Sequence, residues 1–290
     1  MPIDVTAALA AEPATTRLTW TERDVLLYHL SLGAAADPVD HAQLRWAYEE
    51  QLRTLPTFAV VAGRGISAGG AQPPGLQLPG VDVDVRRILH AGQRLRLHAP
   101  IPAAGAARLA SRTKAVHDKG KAALVVVEQR ATADDDTHLW TAELELWARG
   151  EGGFGGDRGP AAGPSAPDRA PDHVLTVPTS PRQALLYRLN GDLNPLHADP
   201  DTASAAGFER PILHGLATYG TTCRAVVDEL LGGDPSSVAG FDARFAGTLT
   251  PGETLRVRVW RETAGWRLTA DCPERGCAPV LDRSFLALAE

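Results

Sequence analysis

Between Asn190 and Pro200 the chain reads NGDLNPLHADP, placing an acid at Asp192, an amide at Asn194 and an imidazole at His197 within six residues. An Asp and a His side by side can exchange protons with a bound water, because one is an ionised acceptor and the other titrates at about pH 6.5. The amide between them can orient that water or either titrating group. Each residue also has a plain structural use: Asp192 in an Asx turn, Asn194-Pro195 as a turn starter, His197 as a half-buried hydrogen-bonding ring. A second feature lies downstream in PILHGL, where Gly215 opens a long apolar run. First-turn N–H groups of a helix starting there have no intrahelical partners and sit at the positive end of the helix dipole. A glycine lets a ligand approach that backbone, and such an N–H can hold negative charge growing on a carbonyl oxygen. Close packing at a helix start accounts for the glycine equally well, and His214 reads as packing or local hydrogen bonding.

The elements that must hold these residues are legible nearby. Ser180-Pro181-Arg182-Gln183 has the form of a capping box with Pro at the first helical position, and Asn190-Gly191 is a left-handed stop, so the loop starts where a short helix ends. Asp199 before Pro200 caps another short turn. The segment from Pro211 to Gly232 is apolar or small on nearly every side, which predicts a buried helix. Period-two alternation over 241–249, 253–263, 265–273 and 279–289, split by Pro and Gly turns, predicts antiparallel strands. The expected class is α+β, with a sheet wrapped around a buried helix.

The chain also repeats itself. TERDVLLYHL matches SPRQALLYRL with Tyr28 and Tyr187 offset by 159, LPTFAVV matches LHGLATY with an offset of 158, and HAGQRLRLHAP matches TPGETLRVRVW with Gly92 and Gly252 offset by 160. These anchors predict two copies of one unit: 1–148, a Gly/Pro-rich linker over 149–172, and 173–290. The repeat serves as an internal control. Where the second copy reads YRLNGDLNPLHADP the first reads YHLSLGAAADPVDH, keeping the Tyr and Leu but not the Asp, Asn and His. A motif needed only for the turn would be required in both.

Whole-chain properties bound the function. A length of 290 residues favours two domains with a modest core each, and 44% hydrophobic with 22% charged residues is ordinary for a globular protein. No apolar run reaches the roughly 18 residues of a membrane span, and the N-terminus lacks the pattern of a secretory signal. A net charge of -6 without a basic face argues against a nucleic-acid partner. Cys223, Cys272 and Cys277 form no disulfide framework and suit a reducing compartment, so the expected location is cytoplasmic. CPERGC lacks a companion pair or nearby His and reads as a hairpin turn; no metal is expected.

The stretch YRLNGDLNPLHADP followed by GFERPILHGLATYG resembles the MaoC-like, (R)-specific enoyl-CoA hydratase family, or hydratase 2, and the duplicated layout resembles its double-hotdog members. The resemblance covers essentially the whole chain, including GGFGG at Gly152 to Gly156. It implies two repeats, each an antiparallel sheet around a buried helix, with an N-terminal repeat that lacks the dyad and helps house the acyl chain. It places the family's acid on Asp192, orienting amide on Asn194, base on His197 and oxyanion N–H on Gly215. The implied reaction is reversible syn addition of water to a trans-2-enoyl thioester of coenzyme A or an acyl carrier protein, within fatty acid metabolism. No cofactor is implied, since coenzyme A is part of the substrate. Arg210 and Arg244 are candidates for its phosphates, or equally exposed solvated arginines. Two other readings are an acyl-CoA thioesterase and a non-catalytic acyl-thioester-binding subunit, and a homodimer is plausible on the same resemblance.

Overall fold

In the computed structural model, residues 2–65, 78–84, 87–161 and 163–289 are described. The first half contains α1 (Val5–Ala10), β1 (Ala14–Trp20), α2 (Glu22–Ser31), α3 (Leu44–Ala47), β2 (Ile88–Leu97), β3 (Gly105–Asp118), β4 (Ala122–Thr132) and β5 (His138–Arg149). The second contains β6 (His173–Pro178), α4 (Gln183–Tyr187), α5 (Pro200–Ala205), α6 (Gly215–Leu230), β7 (Val238–Phe245), β8 (Thr254–Glu262), β9 (Gly265–Cys272) and β10 (Ala278–Leu288). The four C-terminal strands and the buried helix lie where alternation and apolar content predict them; β6 is an additional strand. The CPERGC segment is the tight connection from β9 to β10, with Gly276 in the left-handed region.

All ten strands form one antiparallel sheet in the order β1-β3-β4-β5-β2-β7-β10-β9-β8-β6. Read outward from the β2–β7 junction, both halves follow the same sequence of connections. This symmetry makes β7 the counterpart of β2, and β8 the counterpart of β3. The Gly92–Gly252 anchor is therefore a chance match, since Gly92 lies in β2 and Gly252 directly precedes β8. The Tyr28–Tyr187 anchor falls on true equivalents: the rings of this pair, in α2 and α4, meet with centroids 6.2 Å apart. Nearby, Asn190 Nδ2 donates to Ser31 Oγ at 3.0 Å across a separation of 159 residues. Equivalent positions touch because a pseudo-twofold axis passes between them.

That contact also changes the expected pair of cores. One hydrophobic cluster runs through both halves, from Trp20, Tyr28 and Phe58 to Tyr187, Tyr219 and Phe241, and a smaller one lies beneath α1 around Ile3, Val116 and Phe154. A continuous sheet closing on a shared helix layer leaves no boundary at which to divide the apolar interior. At its centre, Tyr219 of α6 stacks on Phe241 of β7 with centroids 4.4 Å apart and donates its hydroxyl to the Phe241 carbonyl at 2.8 Å.

The halves differ in their central helix. Residues 217–227 of α6 are all buried. Among the described residues the first half has only a 3-10 turn, Pro56–Val60, at the equivalent place. Its continuation meets β-branched Val60 and Val61 and then Gly63, at φ +68, pressed against Leu18, a run that disfavours α-helix. The segment after β5 is partly docked: Asp118 accepts N–H bonds from Gly153 and Gly155 at 2.8 and 2.7 Å, which fixes the GGFGG turn.

Candidate active site

The loop after α4 is built from its ends inward. Gln183 Oε1 accepts from the Ser180 N–H at 3.1 Å and Ser180 Oγ from the Arg182 N–H at 3.2 Å, closing the helix start. The helix ends at Gly191 with φ +107, where an added Cβ would lie 1.9 Å from the Arg64 carbonyl oxygen. Only glycine fits there, for conformation and for space. Asp192 follows on the exposed rim. Asn194 is exposed, and its Oδ1 accepts from the Leu196 N–H at 3.1 Å, capping the 3-10 turn Pro195–His197. That turn swings His197 into the interior, where it is 8% exposed.

His197 Nδ1 lies 2.8 Å from the Ile212 carbonyl oxygen. A carbonyl can only accept, so Nδ1 carries the hydrogen and the neutral ring presents the Nε2 lone pair. Burial lowers the ring's pKa, partly offset by the Ile212 bond and the Asp192 charge, so the lone pair is available at neutral pH. His214 stacks on His197 with centroids 3.8 Å apart and planes inclined by 27°. One ligand atom from each of Asp192, His197 and His214 falls within 4.8 Å of the others. These three could be read as metal ligands, but the rings argue otherwise. Lone pairs lie in the ring planes, and planes so nearly parallel intersect far beyond a metal–nitrogen bond of about 2.1 Å. Burial and the neighbouring His197 push the His214 pKa down to about 4, so the second ring is a neutral packing partner whose Nε2 meets the Asp192 carbonyl at 3.2 Å.

Gly215 is the first residue of α6 and is exposed; His214 at the cap makes no side-chain bond to the first turn. A Cβ on Gly215 would come within 3.3 Å of the Phe245 ring, so a bare backbone is what leaves its N–H approachable. Asp192, His197 and Gly215 are thus gathered at one end of α6, with Asn194 supporting the loop. The two arginines are not part of this group. Arg210 is exposed before Pro211, and Arg244 is exposed on the face of β7 that carries Asp242, opposite the face of Phe241 and Phe245.

Several neighbours were not evident from residue spacing. Arg64, from the first half, donates to Gln129 Oε1 at 3.1 Å, and the Asp192 charge acts on it. Tyr187 Oη is buried without a partner among the described residues. Arg188 is half-buried next to His214, with Nε also unpartnered. His90 faces Asp192 from β2. The only sequence signal for Arg188 is its place one residue after the scaffold Tyr187; Arg64 reaches the site from the segment after the Pro56–Val60 turn, against Gly191, and His90 from β2, by tertiary contacts that local patterns do not encode.

Residues 18–150 match the family described as MFE-2 hydratase 2 N-terminal domain, and residues 163–269 that described as MaoC like domain. The enoyl-CoA hydratase ChsH3 of Mycobacterium tuberculosis is 49% identical over 97% of this chain and 97% of its own. A MaoC-like dehydratase from Phytophthora capsici, solved by crystallography, superposes with a TM-score of 0.86 at 28% identity, covering 99% of each chain. A Mycobacterium tuberculosis protein described as having a double hotdog fold matches with a TM-score of 0.58 at 15% identity over 99% of this chain and 98% of that one, which shares the fold alone.

Proposed function

Because this chain belongs to the MaoC-like hydratase 2 family and has its double-hotdog fold, we propose that it is a hydro-lyase adding water reversibly across trans-2-enoyl thioesters to give (3R)-3-hydroxyacyl thioesters. The observation that carries this reading is the His197 tautomer: Nδ1 bound to Ile212 O, and an Nε2 lone pair beside the Asp192 carboxylate. In the hydration direction Asp192 and His197 hold the water, and one of them takes its proton as the oxygen attacks C3. The Gly215 N–H receives the enolate charge on the thioester oxygen, and the pair returns a proton to C2 on the same face. Asn194 acts by capping the turn that aims His197. Each acid–base group is worth about 10²–10⁴-fold, and an oxyanion donor contributes on a similar scale.

The thiol carrier is coenzyme A or an acyl carrier protein, and no cofactor or metal is required. The odd, unpaired cysteine set supports a cytoplasmic setting, and no helix among the described residues is long and apolar enough to cross a membrane. Leu30, Leu185 and Leu186, exposed by 39% or more on the adjoining helices α2 and α4, support a homodimer through that face. The test of function is loss of enoyl absorbance when the protein meets crotonyl-CoA and a longer trans-2-enoyl-CoA, with chiral analysis of the product. Formation of the (3R) alcohol is expected. Release of free thiol from a saturated acyl-CoA, with no hydration, would replace this reading by a thioesterase.

A further inference from the structure

Strand β2 breaks its own period. Gln93 and Leu95 point inward while Arg94 and Arg96 point out, so an unbroken strand would bury Leu89 and expose His90. The pairing with β5 instead slips between His90 and Gly92, leaving Ala91 as an extra residue. A one-residue bulge reverses the faces beyond it. Leu89 stands 43% exposed as a result, and His90 turns inward. Leaving a leucine in water and removing an imidazole from it are both unfavourable, so local stability does not explain the bulge.

The inward ring meets the site. His90 lies edge-on to Phe245, with centroids 5.0 Å apart and planes at 65°, and Phe245 is the ring that borders Gly215. The charges of Asp192 and Arg64 both act on it. Its Nε2 is shut off from solvent and has no partner among the described residues, and the same holds for Oε1 of the neighbouring Gln93. The neighbouring Gly92 backbone and Gln93 side chain both favour a protonated ring nitrogen, while Nε2 itself makes no hydrogen bond of normal geometry among the described residues; it is a buried ring nitrogen able to donate or accept according to tautomer. Buried polar atoms are rarely left so, and those that are call for a functional reason.

We propose that His90, supplied by the repeat without the dyad, is a substrate-binding residue whose Nε2 hydrogen-bonds the C3 hydroxyl of the 3-hydroxyacyl thioester. The assignment rests on the hydratase reading above. The enoyl thioester has no such hydroxyl, so the contact belongs to the hydrated side of the reaction, and contact with Phe245 beside Gly215 places it at the acyl end rather than along the coenzyme.

The experiment compares wild type, His90→Leu and His90→Gln by calorimetric titration with a (3R)-3-hydroxyacyl-CoA and with the saturated acyl-CoA of equal length, which lacks only the hydroxyl. His90→Leu should lose about tenfold in affinity for the hydroxyacyl ligand, the size of one hydrogen bond, and nothing for the saturated one. His90→Gln should recover most of the loss. The Tm of His90→Leu should not fall, since leucine removes an unpaired buried polar atom. Equal loss on both ligands, no loss on either, or a leucine variant that does not fold would overturn the proposal. Wild-type turnover, followed in the same samples, separates the two ideas: no enoyl consumption fails the hydratase reading, whereas turnover with unchanged hydroxyacyl affinity in His90→Leu fails the His90 assignment alone.

Discussion

The loops that leave α2 and α4 start from one scaffold and end in different chemistry. Each follows a capped short helix, each has a left-handed glycine, Gly33 at φ +79 or Gly191 at φ +107, and their tyrosines face each other across the pseudo-twofold axis. At the offset of 159 residues, Asp192, Asn194 and His197 correspond to Gly33, Ala35 and Pro38. The first half thus leaves its helix without an acid, an amide or an imidazole at these positions, so the three polar residues exceed what leaving the helix requires. Yet the first half is not idle, because it sends Arg64 and His90 toward Asp192. On the proposed function the difference becomes a division of labour: one repeat holds the candidate proton-transfer pair, and the other places residues beside it.

The strongest way to break that comparison is to remove the pair. Asp192→Asn and His197→Gln should each lower kcat by at least about a hundredfold with little unfolding, since Asp192 is exposed and glutamine at 197 keeps an N–H donor for the Ile212 carbonyl. Asp37→Asn, in the corresponding loop of the first half, should leave kcat within twofold. Steady-state hydration kinetics beside thermal melts decide this. Wild-type turnover in either dyad variant, or an equal loss in Asp37→Asn, would dissolve the asymmetry between the loops.

A sharper form of the comparison uses pH. Burial lowers the His197 pKa, so the base stays neutral at and above the ordinary value of about 6.5. Hydration kcat/KM should therefore be flat across neutral pH and fall only on the acid side, below that value. Stability should respond in both halves. His90 in the first and His214 in the second are each pushed down to about 4, chiefly by burial. As pH falls from about 6.5 the unfolded chain binds protons that the folded chain refuses, so stability declines through that window and levels off once the folded rings protonate. Denaturant melts between pH 7 and pH 4 test the sign. A shallower decline in His90→Gln, with the activity profile keeping its shape, would show that His90 and the dyad titrate separately.

How much of this was open to reading along the chain depends on how local each feature is. Gly191, Asp192 and His197 announce themselves because caps, stops and loop chemistry act over three or four residues. Strands 241–289 were legible through alternation, and the start of α6 through Gly215 and the apolar run behind it. The Gly92 anchor failed because a glycine at a bulge within a strand and one in the turn before a strand look alike when an Arg- and Leu-rich run follows each, and strand order is decided by pairing across the sheet. That Pro56–Val60 forms a 3-10 turn was hidden because LPTFAVV is as apolar as its counterpart, while what interrupts it, Gly63 against Leu18, is a tertiary contact. His90 was hidden for a related reason: a bulge is set by the partner strand, so period-two reading assigns the ring to the wrong face.

The smallest expected effect concerns a position that the two halves share. At the offset of 159 residues Arg188 corresponds to His29. His29 is wholly buried, with Nδ1 3.1 Å from the Trp46 carbonyl oxygen and Nε2 accepting the Leu55 N–H at 3.2 Å, so in the first half this place is structural. In the second half it holds a half-buried guanidinium beside His214 with a buried, unpartnered Nε, a donor suited to a ligand's anionic or carbonyl oxygen. Arg188→Ala should therefore raise KM for CoA thioesters about three- to tenfold, the scale of one hydrogen bond to a charged group near solvent, with little change in kcat. Arg244→Ala should change neither constant, because that side chain leaves the opposite face of β7, and exposed Arg210 should have at most a slight effect on KM. A drop in kcat without a change in KM for Arg188→Ala would mean that its charge acts on the histidine pair instead of the substrate, and the cation that meets the coenzyme would have to be sought elsewhere on the rim.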